Sequence, residues 1–310
     1  MLKGCSLVVL RAGATTMCEI GAIGCASILI PSPYVPNNHQ FYNAEELVKK
    51  GAALMIEEKN LTAVKLADTV NFLMHNEKKR DELNDICETE VNMPLSSMTT
   101  LRIGGYAKYV VYPNSDIALD GVLRLLKLRN IPFKMIGKGS DLLCSDDDYY
   151  GVIIRLDRHF NKAYFTDDMV TVQAGCSTIA LAYQAMKNGL SGLEWASGIP
   201  GTIGGAIFMN AGAYKSSMAD IVEEVFVYRN GKLEWMPVEE CDFSYRTSIF
   251  QKHSDWIIAG CRMRLKDEDP NKIEQLMEDR KQRRLSSQPL EFPSCGSVFR
   301  NPEGKNAWEC

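Results

Sequence analysis

Along the first ninety positions, short apolar runs alternate with stretches of helical period. Leu7-Val8-Val9-Leu10 reads as a buried strand, Ala14 to Ala22 as a helix and Ser27 to Ile30 as a second strand. Tyr42 to Lys50 reads as a helix that Gly51 stops. Ala53 to Ile56 gives a third strand, and Thr62 to Asn76 and Glu77 to Glu88 give two amphipathic helices. Strand and helix in alternation predict parallel βα units, an α/β segment over residues 1–90.

The pattern changes after Glu90. Apolar runs become short and are punctuated by glycine: Tyr109 to Tyr112, Phe133 to Ile136, Gly151 to Leu156, Met169 to Ala174, Val222 to Tyr228 and Trp256 to Leu265. Two helical stretches separate them, Ser115 to Arg129 and Thr178 to Lys187, which makes residues 91–268 an α+β domain. A basic helix from Ile273 to Leu285 then opens a third part, 269–310, which ends in the loop signal Asn301-Pro302-Glu303-Gly304 and the terminal Cys310.

Composition narrows the class. Thirty-five basic against 39 acidic residues give a formal net charge of -4, without the cationic excess that binding to a phosphate backbone uses, so no nucleic-acid partner is expected. Ten cysteines are scattered without a C-x-x-C pair, and His159 and His253 have no partners at ligand spacing, which argues reduced thiols and no metal site. The longest uncharged apolar stretch, Ile20 to Ile30, is about half of what a membrane span needs, and Arg11 and Glu19 interrupt any leader-like core. These features predict a soluble cytoplasmic protein. They say nothing about oligomeric state.

Two segments carry candidate chemistry. Ile136-Gly137-Lys138-Gly139-Ser140-Asp141-Leu142-Leu143 follows a strand, and its glycines allow successive N–H groups to converge on a phosphate. Gly198-Ile199-Pro200-Gly201-Thr202-Ile203-Gly204-Gly205-Ala206, continued by Met209-Asn210-Ala211-Gly212-Ala213-Tyr214, implies backbone closely approached by something flat or anionic. Taken alone, each reads equally as a tightly packed turn.

In order along the chain, Thr99-Thr100-Leu101-Arg102-Ile103-Gly104-Gly105, Ile136 to Leu143, Gly192 to Gly205, Ser244-Tyr245-Arg246-Thr247-Ser248 and Pro289 to Pro302 resemble the UDP-N-acetylenolpyruvoylglucosamine reductases over residues 93–310. The resemblance implies an FAD-binding domain of the vanillyl-alcohol-oxidase (PCMH) type and the start of a substrate domain. FAD would be bound by Ile136, Gly137, Lys138, Gly139, Ser140, Asp141, Leu142, Ser197, Gly198, Ile199, Pro200, Gly201, Gly204, Gly205, Asn210 and Ala211, with its pyrophosphate against the 137–141 loop and its isoalloxazine near 198–210. Asp141 stands where the family usually has Asn, and its carboxylate would repel a pyrophosphate.

The same resemblance implies reduction of UDP-N-acetylglucosamine enolpyruvate to UDP-N-acetylmuramate, with NADPH as reductant, in peptidoglycan biosynthesis. Such a reaction delivers hydride to one carbon and a proton to its neighbour, and stabilises charge between the two steps. Ser297 falls at the family's proton-donor position and Arg246 at the position that holds the substrate carboxylate; Tyr214 and Arg300 are further substrate candidates. Serine is a weak acid, so Ser297 calls for a cation beside it, Arg300 or Lys305. Without the flanking matches, Ser297 reads as a turn residue and Arg246 as a surface arginine. The run Arg280-Lys281-Gln282-Arg283-Arg284 reads as a solvated helical face rather than as phosphate recognition. In the family a catalytic glutamate follows further toward the C-terminus. This chain ends before a matching segment, so the expectation is flavin binding with impaired turnover.

Residues 11–20, Ile30-Pro31-Ser32-Pro33 and Asn37 to Ala44 resemble the C-terminal end of the lipid II-forming N-acetylglucosaminyltransferases. That implies a diphosphate near Gly13-Ala14, Glu19 on a ribose and Gln40 on the sugar, with a plain βα core unit as the equal alternative. The acceptor half and the first donor strands do not precede it, so glycosyl transfer ranks second to flavin chemistry, and a non-catalytic fusion fragment third.

Overall fold

The computed structural model describes residues 5–310 apart from 15, 18, 19, 21–24, 50, 85, 86, 289, 290, 303, 306 and 308–310, and without the side chains of 81–84. In the N-terminal part, β1 (Val8–Leu10), β2 (Ser27–Leu29) and β3 (Leu54–Met55) form a sheet in that order, interleaved with α1 (His39–Lys49) and followed by α2 (Ala63–His75) and α3 (Glu77–Asn84). Both strand pairs are parallel, as the alternation predicts. Parallel strands are buried on both faces, and β2 shows it. Leu29 packs with Ile20, Ala44 and Leu47, while its neighbour Ile28 packs on the other side with Ile56 and Leu73.

The helix expected over Glu77 to Glu88 stops at Asn84, and Cys87–Pro94 is instead a strand, β4. Tertiary pairing overrides the helical propensity of its glutamates. β4 runs antiparallel to β5 (Tyr106–Pro113). Glu90 accepts a 2.9 Å bond from the Tyr112 hydroxyl, and Glu88 and Glu90 pair with Arg158, whose guanidinium lies 3.6 Å from the Tyr112 ring centre.

After β5 come α4 (Asp116–Leu128), β6 (Phe133–Met135) and β7 (Tyr149–Ile154), completing a mixed four-stranded sheet of order β4-β5-β7-β6. The chain then lays down β8 (Ala163–Thr166), β9 (Met169–Gln173), α5 (Thr178–Lys187), β10 (Leu190–Ser191), α6 (Ile203–Phe208), β11 (Gly212–Ala213), β12 (Ser216–Ser217), β13 (Val222–Arg229), β14 (Lys232–Pro237), β15 (Ile257–Arg264), β16 (Lys266–Asp267) and α7 (Pro270–Ser287). Five of these strands make an antiparallel sheet, β14-β13-β15-β9-β8. The sequence reading missed β14, although Asn230-Gly231, both at positive φ, is a strong hairpin signal.

Helix α4 joins the two sheets. Ser115 caps it, its hydroxyl accepting from the Ala118 N–H at 3.2 Å. Leu119, Val122, Leu123 and Leu126 share one core with Val111, Val152 and Ile154 of the four-stranded sheet and with Val225, Val227 and Met236 of the five-stranded sheet. The alternate residues Val110, Tyr112 and Ile153 face the other way, against Leu95, Met98 and Ile136. The loops leaving β6 and β9 thereby face one another. None of the described helices is long and apolar enough to cross a membrane.

Candidate active site

The loop after β6 carries the first glycine-rich segment, and its glycines serve the protein before any ligand. Gly139 has φ +61°, and a Cβ there would lie 2.2 Å from the Met98 carbonyl oxygen. A Cβ at Gly137 would lie 2.4 Å from Thr202 Oγ1, and one at Gly204 3.0 Å from the Ala174 Cβ. Close approach at these three positions is therefore to the protein's own chain, not backbone to ligand as the sequence alone implied. Gly201 and Gly205 differ, since an added Cβ would meet only ordinary contacts at 3.6 and 3.5 Å.

Polar bonds complete the junction. Ser140 Oγ donates to the Pro200 carbonyl at 2.6 Å, Thr178 Oγ1 donates to the Ile199 carbonyl at 2.6 Å, and Lys138 Nζ donates to Ser177 Oγ at 2.9 Å. Ser177 and Thr202 form an antiparallel bridge. The two loops, from different sheets, are one wall.

That wall bounds a cleft of about 1880 Å³. Ordinary small-molecule pockets reach ~1000 Å³, so the space suits more than one ligand at once. Ile136 to Leu142, Ser197 to Gly201, Gly204, Gly205, Ala211, Tyr214, Arg246, Ser297 and Arg300 all line it. Ten lysines and arginines also line it, against the three carboxylates Asp141, Asp157 and Glu291. In a chain of formal charge -4 this concentrates positive potential in one place and suits polyanionic ligands.

Asn210 is not among the lining residues. It is buried, its amide nitrogen donating to the Ser244 carbonyl at 2.9 Å and its amide oxygen accepting from the Ala219 N–H at 3.0 Å. Gln40 lies on α1 in the N-terminal part, where its Oε1 accepts from the Ser32 N–H at 2.9 Å. Glu19 falls outside the described residues.

Arg246 sits at φ +54°, a costly backbone for a residue with a Cβ and one that clusters at functional sites. Its guanidinium donates to the carbonyls of Gly212 at 2.5 Å and Asn210 at 3.5 Å. Its own carbonyl accepts from Gln251 Nε2 at 3.1 Å and from Arg300 Nη2 at 3.3 Å. Segment 291–301 crosses the cleft, tied by the Thr100 hydroxyl donating to the Ser294 carbonyl at 2.5 Å. Ser297 is exposed on this segment and makes no hydrogen bond among the described residues. Arg300 is committed to the Arg246 carbonyl, and Lys305 does not line the cleft.

The sequence reading also missed Arg280 and Arg284. Both line the cleft, on the stripe of α7 that buries Ile273 and Met277, so the basic run is only partly a solvated face. Helical spacing 273, 277, 280, 284 was the available signal.

The comparisons with known proteins divide the chain in two. The glycosyltransferase family 28 C-terminal domain matches residues 1–92, and an FAD binding domain matches residues 107–236. The UDP-N-acetylenolpyruvoylglucosamine reductase of Anoxybacillus flavithermus is 40% identical over 229 residues, 73% of this chain and 76% of the relative. That of Bacillus subtilis is 40% identical over 212 residues, 68% of this chain and 70% of the relative. Among solved structures, the UDP-N-acetylenolpyruvylglucosamine reductase of Thermus caldophilus superposes with a TM-score of 0.61 at 31% identity, covering 71% of this chain and 77% of that one. The two-sheet architecture with α4 between the sheets is the PCMH-type FAD-binding fold.

Two outcomes follow from the wall. Gly139→Ala forces a Cβ against the Met98 carbonyl at an unfavourable φ; at about 1–3 kcal/mol of strain, FAD affinity should fall by about tenfold or more. Titration of flavin-free protein with FAD checks this, and unchanged affinity contradicts the role given to the loop. Asp141 is held above the ordinary carboxylate range by desolvation, which the charge of Arg246 only partly offsets. A raised carboxyl pKa stabilises the fold while protonated, and that contribution is lost as pH rises through it. Asp141→Asn should therefore raise the Tm at pH 7 and change it little at about pH 4. A lower Tm at pH 7 contradicts the assignment.

Proposed function

The chain belongs to the UDP-N-acetylenolpyruvoylglucosamine reductase family, and from that membership we propose that it is a flavin-dependent reductase converting UDP-N-acetylglucosamine enolpyruvate to UDP-N-acetylmuramate with NADPH, in the cytoplasm, for peptidoglycan synthesis. One observation carries the reading: a single cationic cleft gathers the zipped glycine loops, the strained Arg246 and the Ser297 segment.

The residues present fit FAD. Gly201 and Gly205 leave backbone open toward the cleft, the Lys138 ammonium stands on the same wall, and the volume leaves room for a second ligand. Bound FAD supplies the hydride that NADPH gives up. Arg246 is the group for the enolpyruvate carboxylate, because a planar guanidinium takes a carboxylate bidentately and offsets the charge that develops as the double bond receives hydride. Its bonds to the Gly212 and Asn210 carbonyls and the constraint on its own carbonyl fix its direction beforehand. Ser297 is the proton source for the neighbouring carbon. Segment 291–301, tied at Ser294 to Thr100, borders the cleft with Ser297 among its lining residues, which supports this role. Among the described residues the glycosyltransferase-like segment contributes no side chain to this cleft, so we place the activity in residues 97–301.

Anaerobic stopped-flow absorbance separates the two half-reactions. NADPH should bleach the visible flavin band, and UDP-N-acetylglucosamine enolpyruvate should restore it. Arg246→Lys should leave the first phase within about twofold while slowing the second by about 10²–10³, the size of losing one charge-stabilising donor. Equal slowing of both phases, or no reoxidation by substrate in the parent chain, overturns the reading.

A further inference from the structure

The basic run of α7 separates into two kinds of side chain. Lys281, Gln282 and Arg283 are exposed and tied to acids one turn back: Lys281 to Glu278 at 3.0 Å, Gln282 to Glu278 at 2.6 Å and Arg283 to Asp279 at 3.0 Å. All four cations border the cleft, but Arg280 and Arg284 are half-buried and have no carboxylate partner among the described residues. Arg284 Nε donates to Gln288 Oε1 at 2.9 Å, and the side chain lies against Gly198, where desolvation draws its pKa down.

Arg280 has no such commitment. Its guanidinium carbon stands 4.7 Å from the centre of the Tyr214 ring, and its Nη1 is buried without a hydrogen-bond partner among the described residues. No carboxylate pairs with it among those residues. A buried, charged donor left unpaired is unfavourable, so the arrangement suits an anion that enters the cleft. Tyr214, its platform, is held at φ +54°, another strained non-glycine backbone at the site.

Position decides which anion. Gly212, whose carbonyl takes the Arg246 guanidinium, is two residues from Tyr214, on which Arg280 stacks. One short stretch of chain thus carries a guanidinium at each end, both lining one cleft. Of the three ligands of the reaction proposed above, only the sugar-nucleotide substrate has both a carboxylate and a diphosphate. We propose that Arg280, stacked on Tyr214, receives the diphosphate of that substrate while Arg246 receives its carboxylate, an inference that rests on the proposed reaction. Stacking engages the face of the guanidinium and leaves Nη1 unpaired, and a planar fork on an aromatic face suits phosphate oxygens.

Binding of UDP alone, by isothermal titration to the flavin-loaded protein, tests it, because UDP carries the diphosphate without the carboxylate. Arg280→Gln should weaken UDP by on the order of 10- to 100-fold, the size of a charge-assisted hydrogen bond. FAD content and the rate of flavin reduction by NADPH should stay as in the parent chain. Arg280→Lys keeps the charge and should recover part of the affinity, and added salt should weaken UDP in the parent chain more steeply than in Arg280→Gln. Unchanged UDP affinity in a folded, flavin-loaded Arg280→Gln overturns the inference and leaves the reductase reading intact. Loss of FAD or of NADPH reactivity in both variants assigns the guanidinium to another phosphate and also overturns it. A parent chain that reacts with NADPH and substrate but does not bind UDP overturns it as well, whereas a parent chain inert to both removes the reading on which it rests.

Discussion

Everything at the site depends on the junction between two loops that belong to different sheets. Gly137 against Thr202 and the Ser140 hydroxyl on the Pro200 carbonyl hold the turn after β6 to the segment that precedes α6. The contact exists because α4 fixes the distance between the sheets through Leu119, Val122, Leu123 and Leu126. Cores packed to crystal-like density do not deform gradually, so the position of the wall follows from the core behind it. A larger residue at 137 would not merely crowd a ligand. It would part the loops.

The second constraint is electrostatic. Ten cationic side chains share a cleft in a chain whose overall charge is negative, and several are kept apart by backbone carbonyls or aromatic rings in place of carboxylates. Arg246 is held by carbonyls and Arg280 by an aromatic face. Neither interaction neutralises a full charge, so both guanidinium groups keep their attraction for an incoming anion. Asp141 runs against this pattern, as a partly desolvated carboxylate on the wall. The surface network of Arg158 with Glu88, Glu90 and Tyr112 shows the contrast, since there carboxylates meet the guanidinium directly and the residues serve to pin β4.

Much of the framework was legible in the sequence, because period and punctuation are local. The parallel βα units, α5 over Thr178–Lys187 and the strands that became β9, β13 and β15 all follow from apolar spacing. β4 was not legible, since Glu88 and Glu90 favour a helix until Arg158, seventy residues away, supplies partners. The glycine loops were visible as loops, but what each glycine touches was not. Likewise the basic run read as solvated, because how deeply Arg280 and Arg284 are buried depends on Ile273 and Met277 docking in the core. Asn210 was read as facing a ligand because of its neighbours, whereas its amide closes two backbone gaps.

The central claim is that the zipped loops and the cationic cleft form a flavin site. The visible absorption spectrum of the purified chain, with the FAD-to-protein ratio after denaturation, tests it most directly. Oxidised flavin bands and about one FAD per chain are expected, present as isolated or restored by adding FAD. A colourless protein that takes up no FAD on reconstitution would contradict it.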